Sequence, residues 1–335
     1  MTVAIDRATG SDRRGDRAPR PGPGQRLRNA YQKHWYAYVM IAPVVVVLGV
    51  IVGYPLIRGF YLTLTDANSL NSARTIGVNH IAATYKFIGA GNYKDILFGP
   101  LSYDRFWSHF LWTVVWTAAC VALHYTIGLG LALMLNEKLR GRTLYRVVLV
   151  LPWAVPTFVT VFSWRIMLAD SGAVNQLLGA LHLPEPQWLE DTFWQRFAAI
   201  MVNTWCGVPF MMLSLLGGLQ SIDSTLYEAA EMDGASAWQR FRHVTLPGLR
   251  PVSSTVVLLG IIWTFNQFAI IFLLFGPTSA PDAQILVTWA YYLGFGQQPR
   301  DFAQSAAYGV LLLSIITVFT SFYFRWLKRN DQLAV

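Results

Sequence analysis

Ser224-Thr-Leu-Tyr-Glu228-Ala229-Ala230-Glu231-Met232-Asp233-Gly234-Ala235-Ser236 stands between two long apolar runs, and the order of its residues specifies a bend. Ser224 can cap a helix whose first turns place Glu228 and Glu231 near the positive end of the dipole. Gly234 suits the left-handed turn that ends such a helix. Ser236 can cap a second short helix that puts Trp238 and Phe241 on one face and stops at Leu246-Pro247. Ala229 and Ala230 are small enough to let another body approach closely. The residues alone admit two readings: a helix-turn-helix elbow offered to a partner, or an amphipathic connector lying among lipid headgroups.

The surrounding chain is membrane-protein material. Of 335 residues, 54% are hydrophobic and 13% charged, and the mean hydropathy is +0.39. Soluble domains carry about a quarter charged residues. A span needs ~20 apolar residues to cross the hydrocarbon core. Runs of that kind fall at 36–57, 110–135, 197–222, 252–276 and 302–324, and a sixth at 147–168 tolerates Arg165 near its end. The expectation is an all-α integral membrane protein with six transmembrane helices over 36–330, a connecting loop at 223–250 and a disordered basic tail over 1–35.

Charge sets the expected orientation. Eighteen of the 26 Lys and Arg lie on the side that holds both termini and the 223–250 loop, against eight on the other. By the positive-inside rule both termini are cytoplasmic. The net charge of +8 and the pI of 9.6 therefore reflect topology rather than a nucleic acid partner.

Several chemistries are excluded by what is missing. There is no Gly-Lys pair for a phosphate-cradling loop, no HExxH and no GxSxG. Cys120 and Cys206 form neither a CxxC pair nor a disulfide framework. No run holds an interior Asp, Glu or Lys, which disfavours a proton-coupled carrier. A membrane transferase would need an acidic pair at the cytoplasmic face, and Glu190-Asp191 falls on the opposite side. His124, in the second run, reads as a neutral histidine bonded to a neighbouring helix. Pro152, Pro156 and Pro209 are expected to kink their helices.

Glu228-Ala229-Ala230, Gly234 and the later Val244-Thr245-Leu246-Pro247 resemble the EAA loop of binding-protein-dependent ABC importer permeases. Phe87-Ile-Gly-Ala-Gly-Asn92-Tyr93, Leu151-Pro152-Trp153-Ala154-Val155-Pro156, Asn203-Thr204-Trp205-Cys206-Gly207-Val208-Pro209-Phe210 and Phe265-Asn266-Gln267-Phe268 are similar to the carbohydrate subfamily, in its maltose-type, MalF-like branch. The chain departs from that branch in lacking extra N-terminal spans and a large periplasmic insertion. Phe275-Gly276-Pro277 replaces the usual glycine-rich segment.

The resemblance implies a type I ABC importer permease fold in a bacterial or archaeal plasma membrane. It implies four partners: a second homologous permease, a dimer of ATP-binding subunits clasping the elbow, an extracytoplasmic solute-binding protein, and a sugar. ATP and Mg would sit on the ATPase, with no cofactor on this chain and no enzymatic activity of its own. An importer of another solute, such as glycerol phosphate, is the alternative within the family.

Polar groups within spans mark either helix contacts or a water-lined path. Asn203 and Gln267 fit both readings on spacing alone. The resemblance places the sugar path at Trp153, Asn203, Cys206, Gly207, Phe210, Gly260, Trp263, Thr264 and Gln267, and the ATPase coupling at Glu228, Ala229, Ala230, Gly234, Leu246 and Pro247.

Overall fold

The computed structural model describes residues 23–137, 140–276 and 280–329, with side chains from Trp35 onward except at Ile76. Its described residues fall into two units divided after Arg58. α1 (Pro23–Leu48) leads through a π-helical turn at Gly49–Gly53 into α2 (Tyr54–Leu62), whose residues from Gly59 onward belong to the second unit. The expected disordered tail is corrected over 23–35, where the backbone is already helical. Pro23 opens that helix with a φ that suits a first turn, and good helix formers such as Gln25, Arg26, Leu27 and Arg28 follow. The rest of the expected tail, residues 1–22, lies outside the described residues.

The second unit starts with a polar connection. β1 (Arg74–Ile76) and β2 (Asn79–Ile81) form an antiparallel hairpin turning at Gly77, whose φ is +61°. In α3 (Gly91–Phe98), Asn92 is buried and its amide donates to the carbonyls of Thr63 at 2.8 Å and Thr65 at 2.7 Å. The Tyr93 hydroxyl donates to Thr63 Oγ1 at 2.9 Å. Asn92-Tyr93 thus ties the connection back to the end of α2.

The core is built on α4 (Ser108–Asn136) and, later in the chain, α8 (Thr192–Gln220). One stripe of α4 is buried at helical spacing, from Trp112 through Trp116, Cys120 and His124 to Gly128. Gly128 sets the distance: a β-carbon there would lie 2.8 Å from Met211 Cβ.

Between them the expected third span is broken. α5 (Arg142–Ala154) and α6 (Thr157–Met167) meet at 91°. Pro156 excludes the helical conformation for the residue before it, and Val155 is extended at φ −80°, ψ 133°. The run read as one span from 147 is therefore a bent pair that begins at Arg142. Pro209, also expected to kink its helix, lies inside the continuous α8.

After α7 (Ala173–Ala180) and α8 come the elbow helices α9 (Ser224–Met232) and α10 (Ala237–Arg240). The second does not stop at Leu246-Pro247, as its sequence predicts. A π-helical turn at Phe241–Thr245 carries it into α11 (Leu246–Phe265), where Pro247 occupies an initial position that needs no N–H partner. α11 ends at Asn266, and α12 (Phe268–Phe275) continues the span after a break at Asn266-Gln267. α13 (Leu286–Tyr291) and α14 (Phe302–Arg329) complete the chain.

Among the described residues five helices are long and apolar enough to cross a membrane, and the bent pair makes a sixth if it counts as one span.

Candidate functional site: a broken-helix cavity and an exposed elbow

Two helix interruptions face one space. The α5–α6 break supplies Trp153 and Thr157, and the α11–α12 break supplies Trp263, Thr264 and Gln267. The continuous α8 closes the wall with Asn203, Cys206, Gly207, Phe210 and Met211, while Gly260 and His124 complete it. The cavity holds about 180 Å3 open to water. All nine path residues anticipated from the sequence border it. His124, Thr157 and Met211 join them without having been anticipated there. Thr157 carries a weak signal, a hydroxyl directly after a helix-breaking proline; Met211, in an apolar run, carries none.

The wall is assembled by close approach. His124 Nε2 donates to the Asn203 carbonyl at 3.0 Å, which fixes its proton on that nitrogen and matches the interhelical role expected of it. This contact exists because position 207 is glycine: a β-carbon there would collide with the His124 ring. Gly260 works likewise, since a β-carbon would sit 2.6 Å from Met211 Cε.

Aromatic and amide groups then face the space. The Phe210 and Trp263 rings lie 4.9 Å apart and tilted by 58°, and Trp263 remains 54% exposed. The Asn203 side-chain amide is buried against the Cys120 thiol of α4. The lining includes no Asp, Glu, Lys or Arg. Asn266 and Trp205, which the sequence groups with these residues, do not border the cavity. Asn266 is exposed and caps its own helix by donating to the Ile262 carbonyl at 3.0 Å. Trp205 packs edge-on against Trp164.

One stripe of α4 holds the segment that carries Thr264 and Gln267. Trp116 Nε1 donates to the Thr264 carbonyl at 3.0 Å, Trp112 Nε1 to the Ala283 carbonyl at 3.0 Å, and Thr113 Oγ1 accepts from the Leu286 N–H at 2.9 Å. The Thr264 carbonyl also accepts from the Gln267 N–H at 3.1 Å, so Trp116 grips the break itself. Trp116→Phe keeps the bulk and removes the donor. It should cost about 0.5–1.5 kcal/mol of stability and raise the apparent transport constant a few-fold, read from thermal melting of the purified complex and from uptake kinetics.

The elbow is equally defined. α9 ends in a full Schellman arrangement, with the Ala235 N–H donating to the Ala230 carbonyl at 2.9 Å and the Gly234 N–H to the Glu231 carbonyl at 3.0 Å. Gly234 has the left-handed φ expected of it, +74°. Ser236 and Gln239 form a reciprocal capping box for α10. The cap of α9 is Asp223, not Ser224: its carboxylate accepts from the Thr225 N–H at 2.9 Å, which holds the carboxyl below its ordinary pKa.

Arg240 pairs with Glu231 at 3.1 Å, and the Tyr227 hydroxyl bonds Thr245 Oγ1 at 3.0 Å. Leu246 and Pro247 are half-buried beneath the elbow. Glu228 and Ala229 are exposed, Ala230 is half-buried, and Leu226, Met232 and Trp238 stand in solvent at 54%, 88% and 67% exposure. Such an apolar face is characteristic of a docking surface.

Broken spans around an uncharged cavity, with an outward elbow, define the core of a membrane permease. The chain belongs to the family of binding-protein-dependent transport system inner membrane components, which it matches over residues 124–330. It is 33% identical to the trehalose/maltose transport system permease protein MalF of Thermococcus litoralis, over 88% of this chain and 94% of that one. It is 32% identical to the maltodextrin permease MdxF of Bacillus subtilis, over 84% of this chain and 66% of that one. It is 36% identical to the inner membrane ABC transporter permease YcjO of Escherichia coli, over 84% and 90%. A chain of a solved bacterial alginate ABC importer shares the fold, with a TM-score of 0.71, 23% identity and coverage of 90% of this chain and 99% of that one.

Proposed function

We propose that this chain is a permease subunit of a plasma-membrane ABC importer that carries a sugar inward, powered by ATP bound to separate subunits. The observation that carries the reading is the cavity. An uncharged wall carrying the Phe210–Trp263 pair, the amides of Asn203 and Gln267 and the hydroxyl of Thr264 matches a ring with an apolar CH face and many hydroxyls. The trehalose/maltose and maltodextrin permeases named above support the same substrate class.

A glycerol phosphate is a poorer fit, because its charge would meet no Lys or Arg in the lining. Uptake of labelled sugars by cells with and without this chain tests the reading, and equal uptake of every neutral sugar offered by both strains would overturn it.

The proposal includes partners. A second permease would face this one, an extracytoplasmic binding protein would deliver the sugar, and an ATPase dimer would seat on the elbow through Glu228, Ala229, Ala230 and the rim around Gly234. No cofactor is assigned to this chain. ATP-driven closure of the ATPases would favour the outward-facing state of the pair through differential contact at the elbow.

All of this requires both termini to be cytoplasmic. With Cys120 and Cys206 replaced by alanine, a cysteine at Ser72 should react with a membrane-impermeant thiol reagent in intact cells and one at Ser236 should not. Labelling at Ser236 alone would invert the topology.

A further inference from the structure

The bend between α5 and α6 opens a second, larger space that the sugar reading leaves unused. It is an apolar groove of about 570 Å3 on the face of α4, α5, α6 and α8, walled by Leu131, Leu149, Pro152, Trp164, Ile200 and Val208 among others. Its lining carries no charged side chain. Arg142, Tyr145, Arg146, Leu149 and Pro152 follow one another at helical spacing along α5, so a basic end runs into the groove wall on the same side of the helix. Arg146 is three residues from Leu149, about 4.5 Å along the axis.

Arg146 is the unusual member. Its guanidinium Nε and one Nη are buried, and neither has a hydrogen-bond partner among the described residues. Two buried guanidinium nitrogens of this half-buried arginine without an acceptor are costly, a setting that favours an anionic ligand. An occupant that satisfies both halves is amphiphilic, with an acidic head at Arg146 and an acyl chain along the groove.

We propose that the α5–α6 bend binds an anionic phospholipid, its phosphate bonded to Arg146 with Arg142 nearby and one acyl chain lying against Leu149, Pro152 and Ile200. A guanidinium fits a phosphate through paired, charge-assisted hydrogen bonds. The neutral headgroup of phosphatidylcholine also carries a phosphate, but its choline brings a positive charge towards two arginines. The site therefore prefers phosphatidylglycerol. Because α5 also supplies Trp153 to the cavity, the lipid would brace one wall of the sugar path.

Native mass spectrometry of the detergent-purified importer containing this chain, offered phosphatidylglycerol or phosphatidylcholine with identical acyl chains, tests the proposal. The wild type should retain the anionic lipid about tenfold better, Arg146→Gln should lose that preference, and Arg146→Lys should keep only part of it, because lysine retains the charge without the paired geometry. Ile200→Trp, which fills the groove and leaves the arginine, should reduce retention of both lipids and carries the test if Arg146→Gln fails to assemble. Equal retention of the two lipids by the wild type, or unchanged retention in Ile200→Trp, would overturn it. So would a photoreactive residue at Val148 that cross-links to another protein chain instead of lipid, since the groove would then be a subunit interface.

Discussion

Gly234→Val is expected to abolish uptake while the protein still reaches the membrane in normal amount. At φ +74° a β-branched residue is strained by about 1–3 kcal/mol, whatever the space around it. Here space is not the issue, because a β-carbon at 234 would meet nothing within 4 Å. The strain is relieved by opening the Schellman turn, which changes the angle between α9 and α10 and so the shape presented to an ATPase. The turn residues 231–234 are exposed, and the buried group nearest the elbow, Thr245, is held by the Tyr227 hydroxyl and by its own helix.

Glu228→Ala is the companion test. The carboxylate has no hydrogen bond or ion pair among the described residues, so its removal leaves the chain's own structure intact, and a loss of uptake would report a partner. Gly234→Asn should restore part of the activity, because asparagine tolerates the left-handed region. Uptake and ATPase stimulation measured beside membrane abundance decide the matter. Near-normal uptake in both Gly234→Val and Glu228→Ala would remove the coupling role.

The elbow shows why some features are legible in sequence and others are not. Gly234 and Ser236 act through local backbone chemistry, so residue type and spacing were enough. Asp223 was passed over for Ser224 because either can cap, and only the phase of the helix decides. Asp191 capping Phe193 and Trp194 starts α8 at Thr192, five residues before its apolar run, since an apolar run marks what lipid requires and not where hydrogen bonding begins.

The bend at Val155-Pro156 had its proline in plain view. Its 91° could not be read, because hydropathy is blind to direction and the apolar composition continues past the break. Leu246-Pro247 failed as a stop for the opposite reason: the wide turn before it moved proline to a position where its missing N–H has no consequence.

The cavity depended more on resemblance than on pattern. Spacing alone left Asn203 and Gln267 as either interhelical contacts or path residues, and Asn203 takes up both positions at once. Its backbone carbonyl bonds His124 across the helices, while its side-chain amide lies between the cavity and the Cys120 thiol of α4. The bond to His124 therefore survives substitution of the side chain, and the contact with Cys120 does not.

The sugar site is testable residue by residue. Gln267→Ala and Asn203→Ala should each remove one hydrogen bond to a buried hydroxyl, worth about 1 to 3 kcal/mol or roughly 5- to 150-fold in affinity. The change should appear as a raised apparent transport constant with basal ATPase activity largely kept. Trp263→Ala should be at least as severe, because the half-exposed indole, tilted against Phe210, offers a broad apolar face to a sugar ring. Asn203→Ala retains the His124 bond and the glycine contact at 207, so assembled importer should remain at wild-type level. If these variants instead lower the amount of assembled importer while the surviving molecules transport with an unchanged constant, the side chains hold helices together and the sugar passes elsewhere.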